Sequence, residues 1–169
     1  MGIKIAGIAI LVLVVIVVLL LVLMGNRERA VGKHIAPEEI TEFFYTEASS
    51  TYPASYQRYR LYTEEGEHCF YHETREGHRW PLTEADITRS GSVQLTEAEW
   101  AAFLDCLEGG SVRKRGESAE SGASAPALYL YWRGDRSKYQ QFSFASADKL
   151  RTFEALCAEL AGSPETEES

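Results

Sequence analysis

The feature that most restricts this chain is a run of 20 consecutive apolar residues, 5–24, opening at Ile5 and closing at Met24, with no charge, proline or polar side chain. At about 1.5 Å per residue, a helix of that length spans about 30 Å, the hydrocarbon thickness of a bilayer. A lone span in hydrocarbon must satisfy its own backbone hydrogen bonds, and only a helix does so. A cleaved secretory signal has a shorter apolar core and small residues before the cut. This run is longer and ends Leu23-Met24-Gly25-Asn26-Arg27 without them. The expectation is an uncleaved single-pass anchor over residues 1–24. It contains no ionisable side chain that would serve an ion path or proton relay.

Lys4 precedes the run, whereas Arg27, Arg29 and Lys33 follow it closely. The positive-inside rule therefore places the remainder of the chain on the cytoplasmic side of the cell membrane, by a margin of about one or two charges. Setting Lys4 aside, the remainder holds 16 Lys and Arg against 25 Asp and Glu, a net charge of −9. Such a balance repels nucleic acid, so no nucleic-acid partner is expected. The length suits one hydrophobic core. Cys69, Cys106 and Cys157 are an odd number with no C-x-x-C spacing, which gives neither a zinc knuckle nor a dithiol redox pair.

Residues 25–36 read as a polar juxtamembrane linker. The segment 40–48 (ITEFFYTEA) reads as a strand, although Ile40, Phe43 and Phe44 also fit one helix face. Residues 56–63 and 67–74 read as a hairpin with Gly66 at positive φ. A second turn at Arg75-Glu76-Gly77 leads into His78-Arg79-Trp80 and continues an antiparallel meander. Thr96 and Glu99 have capping-box spacing, and Trp100, Phe103, Leu104 and Leu107 then form one apolar helix face ended by Gly109-Gly110. The near-copies 82–86 (LTEAD) and 95–99 (LTEAE) read as two capping segments rather than a repeat. Residues 111–126 lack apolar periodicity and read as a mobile loop. Residues 128–132 and 139–144 form a second hairpin, and a last helix buries Leu150, Phe153, Cys157 and Leu160.

The fold class is therefore α+β: an antiparallel meander sheet of about five or six strands with two helices on one face, preceded by a single transmembrane helix. The globular unit covers 37–161, and 162–169 is an acidic disordered tail.

His68, His72 and His78 lie near Glu73 and Cys69, but His68 and His72 stand about 13 Å apart along one strand face while Cys69 points the other way. Neither a metal site nor a cofactor is expected. Cys69 beside a histidine on a strand diverges from it, and a nucleophile needs a contacting base. No G-x-S-x-G, H-E-x-x-H or phosphate-cradling glycine loop occurs. Arg133-Gly134-Asp135 spells an adhesive tripeptide, but Gly-Asp also suits a tight turn. Arg113-Lys114-Arg115 offers only weak attraction to anionic lipid. Tyr56, Arg58, Arg60 and Tyr62 alternate along one strand face, and tyrosine and arginine serve as contact anchors.

The chain resembles bacterial membrane-tethered proteins in layout only, and no motif identifies a family. The expected function is a non-catalytic protein-interaction or regulatory module, with a membrane contact through residues 5–24 and a protein partner on Tyr56, Arg58, Arg60 and Tyr62. The alternatives are a small hydrolytic or thiol-dependent membrane enzyme around 68–78, and a membrane-tethered immunity or inhibitor protein.

Overall fold

The computed structural model describes residues 13–16, 28–114, 126–134 and 140–162. Residues 13–16 are helical and well exposed, and the rest of the expected span lies outside the described residues. Among the described residues no helix is long and apolar enough to cross a membrane. The architecture is α+β, with one antiparallel sheet of eight described strands.

The strands are β1 (Arg29–Ala30), β2 (Ile40–Ser49), β3 (Ala54–Glu64), β4 (Glu67–Gly77), β5 (Ile87–Gln94), β6 (Ser111–Lys114), β7 (Ala127–Trp132) and β8 (Gln140–Ser143). Their order across the sheet is β1-β6-β8-β7-β2-β3-β4-β5. Besides the helical residues 13–16, the described α-helices are α1 (Glu97–Leu107) and α2 (Ala147–Gly162). The β2–β3–β4–β5 meander is joined to the later strands by a single seam, in which Phe43 pairs with Leu130 and Phe44 with Tyr129.

Local signals explain much of this. ITEFFYTEAS is rich in β-branched and aromatic residues, and a ladder on each side settles it as a strand rather than a helix. The β3–β4 hairpin turns on Glu65 at φ 52° and Gly66 at φ 91°, the paired positive angles that match strand twist. In α1 the Thr96 backbone N–H donates to the Glu99 carboxylate at 2.7 Å, and the Glu99 N–H donates to the Thr96 hydroxyl at 3.3 Å. Hydrogen bonds from Thr96 hold the Glu99 carboxyl below the usual carboxylate range. The near-copy at Thr83 and Asp86 makes the same box on a short 3-10 turn, so both segments are caps. Lys149 of α2 donates to the Asp105 carbonyl at 2.6 Å, clamping the end of α1 to the start of α2.

Both helices cover one face of the sheet. Phe43 is fully buried there, with ring centroids 5.7 Å from Phe103 of α1 and 5.2 Å from Phe153 of α2. Leu61, Phe70 and Leu130 complete the layer. At the α1 terminus Gly110 must be glycine, because a Cβ there would run into the Phe142 ring.

Several expectations need correcting. The sheet has more strands than five or six because three weakly patterned segments also pair. Ser111–Lys114, read as loop, is β6, with Val112 buried opposite Phe142. The remainder of that expected loop, 115–125, and the expected tail at 163–169 lie outside the described residues. The stretch read as linker is partly folded: Val31 and Ile35 are core residues, and Val31 N–H donates to the Gly110 carbonyl at 2.9 Å. The turn expected at 75–77 is absent because Arg75 and Gly77 remain in the β4 ladder opposite Tyr56 and Ala54. The next strand is Ile87–Gln94 rather than His78–Trp80, since 78–81 lie exposed in the connection.

Candidate functional site

Alternation along β2, β3 and β4 sends odd residues of β2 and β3 under α1 and α2 and their even residues to the opposite face, which carries no helix among the described residues and is called the helix-free face. That face repeats in rows across the strands. Tyr131, Glu42, Tyr62 and Cys69 form one row; Tyr129, Phe44, Arg60 and Tyr71 the next. Thr46, Arg58 and Glu73 form the third, then Ala48, Tyr56 and Arg75. All four residues singled out in the sequence, Tyr56, Arg58, Arg60 and Tyr62, lie here together.

They are half-buried rather than fully exposed, because the stripe packs on itself. The Arg60 guanidinium lies 3.9 Å from the Tyr62 ring centroid and 5.7 Å from that of Phe44. Arg58 lies 4.9 Å from the same Phe44 centroid, and Arg75 sits 5.2 Å over Tyr56. Such stacked cations are stabilising by ~0.5–1 kcal/mol each where they remain partly wet. The face is a woven layer of guanidinium groups and rings.

Beneath it are two carboxylates: Glu42, which the sequence did not single out, and Glu73, which it marked only as a neighbour of the histidines. Glu42 is 2% exposed and Glu73 5%. Isolated buried carboxylates are costly, and these are compensated. Arg60 Nε donates to Glu42 at 2.6 Å. Glu73 accepts from Arg75 Nε and, at 2.7 Å, from the Tyr71 hydroxyl. Burial opposes the charge of Glu73, but the hydrogen bonds from Arg75 and Tyr71 and the Arg75 and Arg58 charges outweigh it, so this carboxyl titrates below its usual range. Burial and the neighbouring Glu73 carboxylate push the Tyr71 phenol up to about 12. The one signal in the sequence that could have found the pair is alternation, which puts Glu42 beside Phe44 and Glu73 beside Tyr71 and Arg75 on a shared strand face.

The histidines do not converge. His68 and His72 point to the helix side. His68 stacks on Trp100 with centroids 4.1 Å apart and meets Thr63 at 3.1 Å, as expected of cross-strand pairing. His72 is buried against Phe70, and His78 stacks on Tyr52 at the far end of the sheet. Among the described residues no group of three or more His, Cys, Asp and Glu is placed to hold a metal ion.

The cysteines are all free, with Cys106 buried on α1 and Cys157 buried on α2. Burial pushes both thiols up, Cys157 strongly. Cys69 lies on the helix-free face, and burial raises its thiol too, with Glu64 and Glu67 adding to the effect against a hydrogen bond with Tyr62. It is a neutral thiol at physiological pH, unlike an activated nucleophile.

Arg133 and Gly134 take the positive φ angles of a tight turn, and Arg133 is held by Glu39 at 2.7 Å; Asp135 lies outside the described residues. Arg113 pairs with Glu28 at 3.0 Å from within β6.

No protein-family model, curated protein or solved structure matches this chain.

Proposed function

We propose that this chain is a single-pass membrane-anchored, non-catalytic interaction module whose partner protein docks on the helix-free face around Tyr56, Arg58, Arg60 and Tyr62. The observation that carries the reading is that face itself. The described helices leave it uncovered, yet it presents arginine and tyrosine, the residues that dominate binding energy at interfaces, on a paired strand hairpin. Buried carboxylates fix the arginine orientations before any partner arrives, which lowers the ordering cost of association. The apolar run at 5–24 supports the anchor, and the charges flanking it support a cytoplasmic domain.

A photo-crosslinking phenylalanine analogue in place of Tyr62, in the full chain in cells, tests the docking face. A discrete protein adduct is expected from position 62 and none from Arg151, which is exposed on α2. The same adducts from both positions would remove this face from consideration. For the anchor, Cys69→Ser removes the one cysteine that is not buried. A cysteine placed at Ser169 should then react with an impermeant maleimide only after lysis. Reaction in intact cells would put the domain outside.

A further inference from the structure

If the helix-free face is a docking face, the reading on which this proposal rests, its chemistry distinguishes among partners. Arg60 and Arg75 each engage their buried carboxylate through Nε. Their terminal nitrogens remain for a second acceptor, since a guanidinium carries five donors in a planar fork. Arg58 makes no ion pair with a described carboxylate; it lies over the Phe44 ring and faces Glu73 across the β3–β4 ladder, acting on that carboxylate through its charge alone. Three guanidinium groups thus overlie two carboxylates that are 2% and 5% exposed, and the outer layer is cationic on a domain of net charge −9.

The spacing is regular. Arg60 and Arg58 are alternate residues of β3, and Arg75 occupies the row after Arg58 through its pairing with Tyr56. Successive rows are therefore ~6.6–7 Å apart, which is also the repeat of alternate side chains in any extended peptide. Tyr56, Phe44 and Tyr62 supply ring surface between the charges. At the other end of the same hairpin stand Glu64, Glu65 and Glu67, which disfavour a broad anionic surface such as a lipid headgroup layer and favour a narrow ligand aligned with the arginines.

We infer that the helix-free face binds an extended acidic segment of a partner protein, with carboxylates at alternate residues seated on Arg58 and on the free edges of Arg60 and Arg75. Arg58 is the principal anchor, because among the three its guanidinium alone makes no ion pair with a described carboxylate.

The test uses the full chain in neutral detergent micelles and a dye-labelled, capped probe peptide of alternating Glu and Thr, read by fluorescence polarisation. A probe with Gln for every Glu is the control. The Glu probe should bind, and the Gln probe should bind at least about tenfold more weakly, as the loss of charge-assisted hydrogen bonds implies. Arg58→Gln should weaken the Glu probe by a similar factor with an unchanged circular dichroism spectrum, and Arg151→Gln should leave it unaltered. Should Arg58→Gln disturb the fold, Arg58→Lys keeps the charge without the fork and should still weaken binding measurably. No binding, equal affinity for both probes, or indifference to position 58 would overturn the inference. So would Arg58-dependent binding to phosphatidylserine vesicles in place of the peptide. If cross-links from position 62 persist while the probe fails, the acidic chemistry is wrong and the docking face stands. If both fail, the underlying reading falls as well.

Discussion

The two faces of β3 are made by the same eleven residues and solve opposite problems. On the helix side, Tyr59 and Leu61 enter a closed layer of Phe43, Phe70, Phe103 and Phe153, in which dispersion and the loss of apolar surface from water supply the stabilisation. On the other side, Arg58 is held half out of water by the Phe44 ring, and Arg60 by rings and by the Glu42 carboxylate sunk beneath it. Burial on the first face is achieved by adding helices. On the second it comes from long amphipathic side chains lying flat over one another, with the aliphatic stems dry and the charged ends wet. The comparison separates residues that keep the fold from residues whose loss the fold tolerates.

The largest expected difference is at Phe43. Phe43→Ala removes the ring at the centre of the aromatic cluster and should cost about 3–5 kcal/mol, read as a lower midpoint in urea unfolding. A cost below about 1 kcal/mol would mean that the helix-covered layer repacks freely.

The helix-free face should respond unevenly. Arg60→Ala leaves the Glu42 carboxylate buried without its guanidinium and should cost about 2 kcal/mol, less than a fully buried pair because Arg60 keeps some contact with water. Adding Glu42→Gln to Arg60→Ala should recover part of that loss. No recovery would show that Glu42 is stabilised by other neighbours. Arg58→Ala should cost less, about 1 kcal/mol, because it removes the stacking on Phe44 and a charge facing Glu73 but breaks no ion pair. This contrast identifies Arg58 as the position for testing binding, whereas reversing the charge at Arg60 would confound docking with stability.

Acid should separate the faces most gently. The Glu73 carboxyl is depressed in the folded state, so its contribution is fully present above the ordinary carboxylate value near 4.5 and is lost as the pH falls through the lower folded value. Unfolding midpoints taken from about pH 6 down to about pH 3 should therefore decline less steeply in Glu73→Gln than in the parent chain. Parallel declines would mean that Glu73 gains nothing from Arg75 and Tyr71.

Much of this fold is legible without coordinates where a short-range rule applies. The Thr96–Glu99 cap, the positive-φ turn at Gly66, the apolar faces of α1 and α2 and the alternation that gathers Tyr56, Arg58, Arg60 and Tyr62 all follow from neighbours within one or two turns. The segment ITRSGSVQ is not legible as a strand because an edge strand buries little and carries no apolar alternation. The short β6 and the Val31–Ile35 loop are hidden in the sequence because one or two apolar residues set no period. The carboxylates at 42 and 73 resemble any solvated glutamate in sequence, and only their cross-strand partners mark them as buried.

By itself, then, the amino-acid order determined most of the elements and the inward and outward sides of the central strands, because periodicity and capping act between residues close along the chain. The tertiary structure decided which strands are neighbours, most of all the β2–β7 seam that unites residues more than eighty positions apart, and which charges are sunk beneath others. Those outcomes depend on competition among distant pairings and on the water each group must give up, and neither quantity is carried by any local stretch of sequence.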